Sequence, residues 1–375
     1  MKNIFLTTLI ACNLIVLSCQ SSGQIVNNDS ITLSANTVKL LFVGDVMGHI
    51  TQTDGAWRDG GDTCHNYIPT FQWIKDYVSS ADIAVANLEL TLAGAPYAGY
   101  PQFSSPDALA AALKDAGFNT LVTANNHTLD RGKAGLERTI HILDSIYVSR
   151  TGSFKNQTDR DTCYPLIIEK NNFRIALLNY TYGTNGLAVE QPNIVNYIDT
   201  VQILADIIKA QNMQADYIIS YMHWGDEYSA KENKNQRQIA NFLAQNGCNL
   251  IIGAHPHVIQ PIEKIAVAPD DSVPVAYSLG NFISNQRDRY RDGGIALEIT
   301  LTKNNGVKIE SLTYEPIWAL RYQTGKGYIF RLIQVNDYIV HPEKYPLINE
   351  QHKTDMMLFY NDTKKIFGCQ FSDVE

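Results

Sequence analysis

Residues 117–132 constrain this chain most. The apolar pair Leu121-Val122 stops directly in Asn125, Asn126 and His127, and a second apolar series, Leu136, Ile140 and Leu143, begins after Gly132. The first reads as a buried strand. The second has the three-to-four-residue spacing of one helical face. A strand that ends in polar side chains just before a helix is the unit of an open α/β sheet, which places its chemistry at the carboxyl ends of its strands. Four other segments end in the same manner: Gly44-Asp45-Val46-Met47-Gly48-His49, Asn87-Leu88-Glu89, Met222-His223-Trp224-Gly225-Asp226 and Gly253-Ala254-His255-Pro256-His257. The rest of the sequence reads as scaffold for these strand ends.

That scaffold alternates. Residues 38–43 form a continuous apolar run of the kind buried on both faces of a parallel sheet. A helix through Phe71, Ile74 and Val78, a strand at 83–86 and a helix at 107–116 behind Pro106 follow. After Gly152, short strands at 164–169 and 174–179 flank Lys170-Asn171-Asn172, a hairpin signal. Helices are expected at 201–211 and 236–245, and strands at 217–221, 249–252, 273–279, 294–301 and 307–314, the last after the turn Asn304-Asn305-Gly306. Parallel strands early and antiparallel strands late predict an α/β fold of two packed mixed sheets flanked by helices, an αββα sandwich. Residues 38–318 are expected to form this domain. Residues 319–375, mixed and tyrosine-rich, read as an extension packed on it.

The amino terminus is of another kind. Lys2 precedes an apolar run from Ile4 to Leu17, too short to span a bilayer, and the run ends at Ser18-Cys19. The ending Val16-Leu17-Ser18-Cys19 resembles a bacterial lipobox, which implies cleavage of residues 1–18 and lipidation of Cys19. Residues 19–37, rich in Ser, Asn and Gln, read as a tether. These features place the protein on the bacterial cell envelope, facing the periplasm or the exterior. An oxidising compartment permits disulfides, with Cys64–Cys163 the candidate pair and Cys248 read as simply buried. The net charge of −8 argues against a nucleic-acid partner, which would need a basic footprint.

Two carboxylates, an amide oxygen and several imidazoles make an oxygen-and-nitrogen donor set, suited to manganese, iron or zinc rather than calcium. One or two divalent ions there would orient and activate water and stabilise a departing oxygen. Singly, each residue has an ordinary reading. Asp45 suits a helix cap, Asn125 and Asn126 suit turns, and His255 and His257 beside proline suit a surface loop. His49, His65 and His141 are not read as ligands. The coincidence of positions carries the hypothesis.

Gly44-Asp45-Val46-Met47, Asn87-Leu88-Glu89, Ala124-Asn125-Asn126-His127 with Asp130 and Gly132, His223-Trp224-Gly225, Gly253-Ala254-His255-Pro256-His257 and Ser278-Leu279-Gly280-Asn281-Phe282 occur in the order of the CapA (poly-γ-glutamate synthesis) family. The chain resembles that family, which shares its fold with calcineurin-like metallophosphoesterases. The resemblance implies that Asp45 holds a first metal and that Glu89 stands where an aspartate would bridge. It implies that Asn126 and His223 hold a second metal, with His255 and His257 divided between the two. His127 would protonate the leaving group and Asp130 would orient it. Asn125, Trp224 and Asn281 are the candidates for substrate contact, although core packing also suits Trp224. This chain departs from the metallophosphoesterase pattern at Met47, which replaces the histidine of Asp-x-His, and in the longer side chain at Glu89. The implied function is synthesis, export or release of an anionic capsule polymer, by metal-dependent hydrolysis or transfer within a membrane complex. The rivals are a phosphoesterase acting on envelope or nucleotide phosphates and a non-catalytic polymer-binding component.

Overall fold

Alternate residues of the strand Thr37–Val46 serve two different interiors. Val38, Leu40 and Phe42 enter an apolar layer shared with a second sheet, while Leu41 and Val43 face helices on the outside. In this computed structural model, which describes residues 36–367, that division builds four layers. The expected leader, most of the tether, Cys12, Cys19 and Cys369 lie outside the described residues.

The first sheet runs in the order Gly327–Gln334, Gly306–Thr324, Gly293–Asn304, Thr37–Val46, Ile83–Leu88, Thr120–Val122 and Ser149–Thr151, with Asn281–Ile283 also paired to Thr37–Val46. Its strands at 37–46, 83–88, 120–122 and 149–151 are parallel, and the long strands 293–304, 306–324 and 327–334 are antiparallel. The second sheet orders Ile262–Ala268, Asp271–Ala276, Leu250–Ala254, Tyr217–His223, Phe173–Thr181 and Leu166–Lys170. Its centre is parallel and its two edge strands are antiparallel. Leu177, Ile219 and Ile252 meet Leu40, Phe42 and Val85 between the sheets. Outside, Leu109 and Leu113 of the helix Ala108–Asp115 cover the first sheet. Ile203 and Ile207 of the helix Thr200–Asn212 cover the second. The expected αββα sandwich is the observed fold.

The hairpin expected at Lys170-Asn171-Asn172 forms between Leu166–Lys170 and Phe173–Thr181, with Asn171 and Asn172 at φ of 47° and 64°. Asparagine tolerates that left-handed backbone, which is why the signal was readable. Residue 318, the expected domain boundary, falls inside the strand Gly306–Thr324. The chain beyond it adds an edge strand, and Met356, Phe359 and Phe367 of the helix Glu350–Phe367 enter the layer between the sheets. Cys64 and Cys163 are not joined, contrary to the candidate pairing. Cys64 is exposed, and the Cys163 thiol donates within its own helix to the Asp159 carbonyl at 2.8 Å. Cys248 is free and buried.

Candidate metal centre

The parallel strands of both sheets point their carboxyl ends to one place. The first sheet delivers Asp45, Glu89 and the 125–127 turn; the second delivers His223, His255 and His257. The sheets are tied below this point. The Tyr221 hydroxyl donates to the Val43 carbonyl at 2.7 Å, and the Ala124 N–H donates to Asn179 Oδ1 at 2.7 Å. Backbone closeness explains Gly44, because a Cβ there would come within 1.9 Å of the Gly280 carbonyl oxygen. His255 and His257 stand at φ of 101° and 58°, a conformation that side-chain-bearing residues hold only when their surroundings enforce it.

Asp45 Oδ1 accepts from the Asn87 amide at 2.8 Å, and Oδ2 lies 3.0 Å from His257 Nδ1. Asn281 Oδ1 lies 3.1 Å from the same nitrogen. With its Nδ1–H shared between these oxygens, His257 turns Nε2 toward Glu89 Oε1 at 3.8 Å. His223 Nε2 lies 3.6 Å from that same Glu89 oxygen and 2.8 Å from Asn126 Oδ1. Asp45, Glu89 and His223 form one donor group and Glu89, His255 and His257 another; within each group the donor atoms lie within 4.8 Å of one another. Glu89 belongs to both, the place expected of a bridging carboxylate.

The electrostatics fit a cation. Neither carboxylate oxygen of Glu89 has a hydrogen-bond partner although both are buried, and His255 Nδ1 is in the same position. Burial, then the charge of Asp45, pushes Glu89 well above the ordinary carboxylate range. Burial also acts to raise Asp45, but its hydrogen bond to His257 and the charge of that ring outweigh it, so Asp45 stays below its usual value. Burial and neighbouring imidazoles press His223 far down and His255 to about 3, so these rings are neutral donors at physiological pH. An acidic, desolvated pocket lined by neutral imidazoles and an orphaned carboxylate is what a divalent ion completes.

His127 adjoins this group. Its Nδ1 lies 2.8 Å from Asp130 Oδ2, which also accepts from the Phe103 N–H at 2.7 Å. The Phe103 ring packs edge-on against His127 with centroids 4.7 Å apart. The three residues expected to contact substrate have their polar groups engaged within the protein. Asn125 donates to the Leu88 carbonyl and Asn87 Oδ1 and accepts from the His127 N–H, so its amide is fully used. Asn281 donates to Gln286 Oε1 and the Arg291 carbonyl while it orients His257. Trp224 is buried, with its indole N–H on the Tyr277 carbonyl at 2.9 Å. Met47 is buried in the apolar layer under the helices and offers no donor to the centre. His49 does not replace it: its Nδ1 is engaged by the Asn285 N–H at 3.2 Å and lies 3.1 Å from Gln52 Oε1.

Sequence reasoning left Asn87 without a role, yet its amide reaches both Asp45 and His223 Nδ1, the latter at 3.2 Å. Its place two residues before Glu89 in a polar strand end was the available signal. Tyr182 and Tyr228 were also missed. Tyr182 lies 4.6 Å from His255 and Tyr228 6.0 Å from His257, centroid to centroid, and the Arg291 guanidinium stacks 3.7 Å over Tyr228. Nothing in their local sequence marks them.

Fold and site together define a two-sheet α/β protein with a buried histidine–carboxylate centre able to hold divalent metal. The chain belongs to the family described as bacterial capsule synthesis protein PGA_cap, which matches residues 39–286. It is 26% identical over 283 residues to the PGA biosynthesis protein CapA of Bacillus subtilis (strain 168), covering 74% of this chain and 72% of that one. To the capsule biosynthesis protein CapA of Bacillus anthracis it is 28% identical over 260 residues, covering 66% of this chain and 60% of the relative. Looser structural likenesses include the NAD nucleotidase NadN of Haemophilus influenzae, at TM-score 0.45 and 10% identity over 88% of this chain and 60% of the other. Another is the 5'-nucleotidase of Candida albicans SC5314, at TM-score 0.41 and 10% identity over 88% and 58%.

Proposed function

We propose that this protein is a metal-dependent hydrolase or transferase that acts in the synthesis, export or release of poly-γ-glutamate or a related anionic capsule polymer. The observation that carries the reading is Glu89, whose two buried oxygens have no partner and whose Oε1 faces His223 and His257 from opposite donor groups. Asp45, Glu89 and His223 would hold one divalent ion, with Asn126 beside them; Glu89, His255 and His257 would hold another. Manganese, iron or zinc suits these donors. Such an ion supplies Lewis-acid polarisation of an acyl or phosphoryl oxygen and a more acidic water.

The chain's own residues do the rest. The Nδ1–H of His127 donates to Asp130, which fixes the tautomer and leaves Nε2 to exchange a proton with the leaving group. The Phe103 N–H holds the Asp130 carboxylate in place, and the Phe103 ring keeps water from one side of the imidazole. Asn125 clamps the turn through the His127 N–H. Cleavage of residues 1–18 and a lipid on Cys19 would keep this chemistry at the envelope, within a membrane-bound capsule-synthesis complex. A palmitate label lost in Cys19→Ala tests the anchor.

Elemental analysis of natively purified protein, paired with turnover assays on poly-γ-glutamate and on phosphomonoesters and diesters, tests the activity. Metal-dependent cleavage of the polymer is the expected result. Turnover of phosphoesters alone would assign a phosphoesterase. The burial of Met47 among apolar side chains favours a second reading, a non-catalytic polymer-binding component, which polymer binding without any metal-dependent turnover would establish.

A further inference from the structure

The strand Phe173–Thr181 runs parallel to Tyr217–His223 with Thr181 level with His223, so its carboxyl end also opens at the metal centre. Neither donor group draws on it. In an open α/β sheet such a strand end is a place for ligand contact. Tyr182 is the first residue beyond it, and its N–H donates to the His223 carbonyl at 3.0 Å. Its ring lies 4.6 Å from the His255 ring, and 6.3 Å from the His223 ring at an interplanar angle of 10°. One side chain thus borders an imidazole from each donor group. It is also 46% exposed, so it faces the opening rather than the core.

The turn that carries Tyr182 is braced. The Thr181 hydroxyl donates to the Gly183 carbonyl at 2.9 Å, and the Thr184 and Tyr197 hydroxyls lie 2.8 Å apart. Asn185 and Gly186 curl the chain back at φ of 51° and 76°. Asn185 Oδ1 then accepts from Asn126 Nδ2 at 3.2 Å. The Tyr182 hydroxyl interacts with the same Asn126 side chain. Asn126 Oδ1 already faces His223 Nε2, which leaves its Nδ2–H group to meet the phenol oxygen. The hydroxyl is therefore an acceptor toward Asn126, and its own proton has no acceptor among the described residues. Burial is the main force that pushes this phenol up to about 12, with Glu227 and Glu89 adding to it, so the proton stays on.

We propose that Tyr182 is a further catalytic residue, whose O–H donates to the substrate oxygen that gains negative charge as the acyl or phosphoryl centre is attacked. The proposal rests on the metal-dependent reading above. It gives this chain a fixed donor for a charge that the ion would otherwise stabilise alone. A donor held in place before the charge develops loses little to reorganisation, and a site closed to water strengthens it. The two sheets then divide the work: the first supplies His127 to the leaving group, and the second supplies Tyr182 to the oxygen that stays.

Calorimetric titration of inorganic phosphate, a tetrahedral oxyanion, into the full manganese-loaded chain tests this. Tyr182→Phe removes the hydroxyl and keeps the ring over His255. It should weaken phosphate by about tenfold or more, the effect of losing a hydrogen bond to a charged group. Manganese content should match that of the wild type. On a substrate that the wild type turns over, kcat should fall by about a hundredfold with KM unchanged, as for loss of one oxyanion donor. Tyr197→Phe, which loosens the same turn at Thr184, should leave phosphate affinity and kcat unchanged. Equal losses in the two variants would make the effect one of turn structure and overturn the proposal. So would unchanged phosphate affinity in Tyr182→Phe, or loss of manganese from it. Wild-type protein that takes up no manganese would instead sink the metal-dependent reading itself.

Discussion

The two ends of the sandwich treat charge in opposite ways. Where the parallel strands begin, Lys39 meets Glu298 at 2.8 Å, Lys303 meets Asp216 at 2.6 Å and Lys170 lies 3.6 Å from Asp82. Each of these charges has an opposite neighbour and access to water, so the pairing costs little and stabilises little. Where the same strands finish, Asp45 and Glu89 are fully buried among three imidazoles that burial keeps neutral or structure holds in place. One fold thus carries a balanced end and an unbalanced end. The imbalance is maintained by strand register, close glycine contacts and enforced backbone geometry, and it marks the end built to receive something.

That contrast can be broken by experiment. The largest effect is expected at His127. His127→Ala should cut turnover by about a hundredfold to ten-thousandfold, the usual worth of a positioned proton donor, and leave bound metal in place by elemental analysis. Loss of both would give His127 a structural role. Next, Glu89→Gln should lower metal affinity by more than about a hundredfold, beyond the effect of typical supporting residues. In chelator-treated protein the sign reverses for an apolar replacement: Glu89→Met should melt higher, with a gain of about 1–3 kcal/mol, because a buried carboxyl without partners has been removed. An equal or lower melting point would show that the site is not frustrated.

A third test concerns acid. Burial lowers His49 from its ordinary 6.5 to about 4, so the folded state holds the neutral ring. Its contribution is complete above pH 6.5 and is lost as pH falls toward 4, because the unfolded chain takes up the proton first. Denaturant melts at pH 7 and pH 4.5 should show His49→Gln flattening a slope worth about 3 kcal/mol. At the balanced end, Lys303→Met should cost no more than about 1 kcal/mol in the same melts, and less in high salt. A larger loss there would erase the distinction between the ends.

The alternation of strands and helices was legible because, past Lys39, Leu40 and Phe42 on one face and Leu41 and Val43 on the other leave no room for a solvent-facing side. The donor groups were legible because each closes a strand and is chemically out of place in the core. What stayed hidden depends on where side chains turn. Asn125 and Asn281 have the right chemistry to meet a substrate, but their amides are consumed by Leu88, Asn87, Gln286 and Arg291, partners distant in sequence or fixed only by the folded loop. The carboxyl-terminal region was unreadable for another reason. The strand Gly306–Thr324 is half exposed over its first part and buried only from Pro316 to Leu320, so no single periodicity spans it. The helix Glu350–Phe367 buries Met356, Phe359, Thr363 and Phe367 while leaving Leu358 exposed, which blurs its apolar stripe.

The hydroxyl of Tyr221 on the carbonyl of Val43 has a mechanical consequence. It stitches one slab to the other only two residues upstream of Asp45, so rocking the slabs apart would dislocate the floor of the pocket before admitting anything larger. Accommodation of a bound molecule therefore falls to the exposed side of the centre, where Tyr182 and Tyr228 stand beside His255 and His257 over a base that stays put.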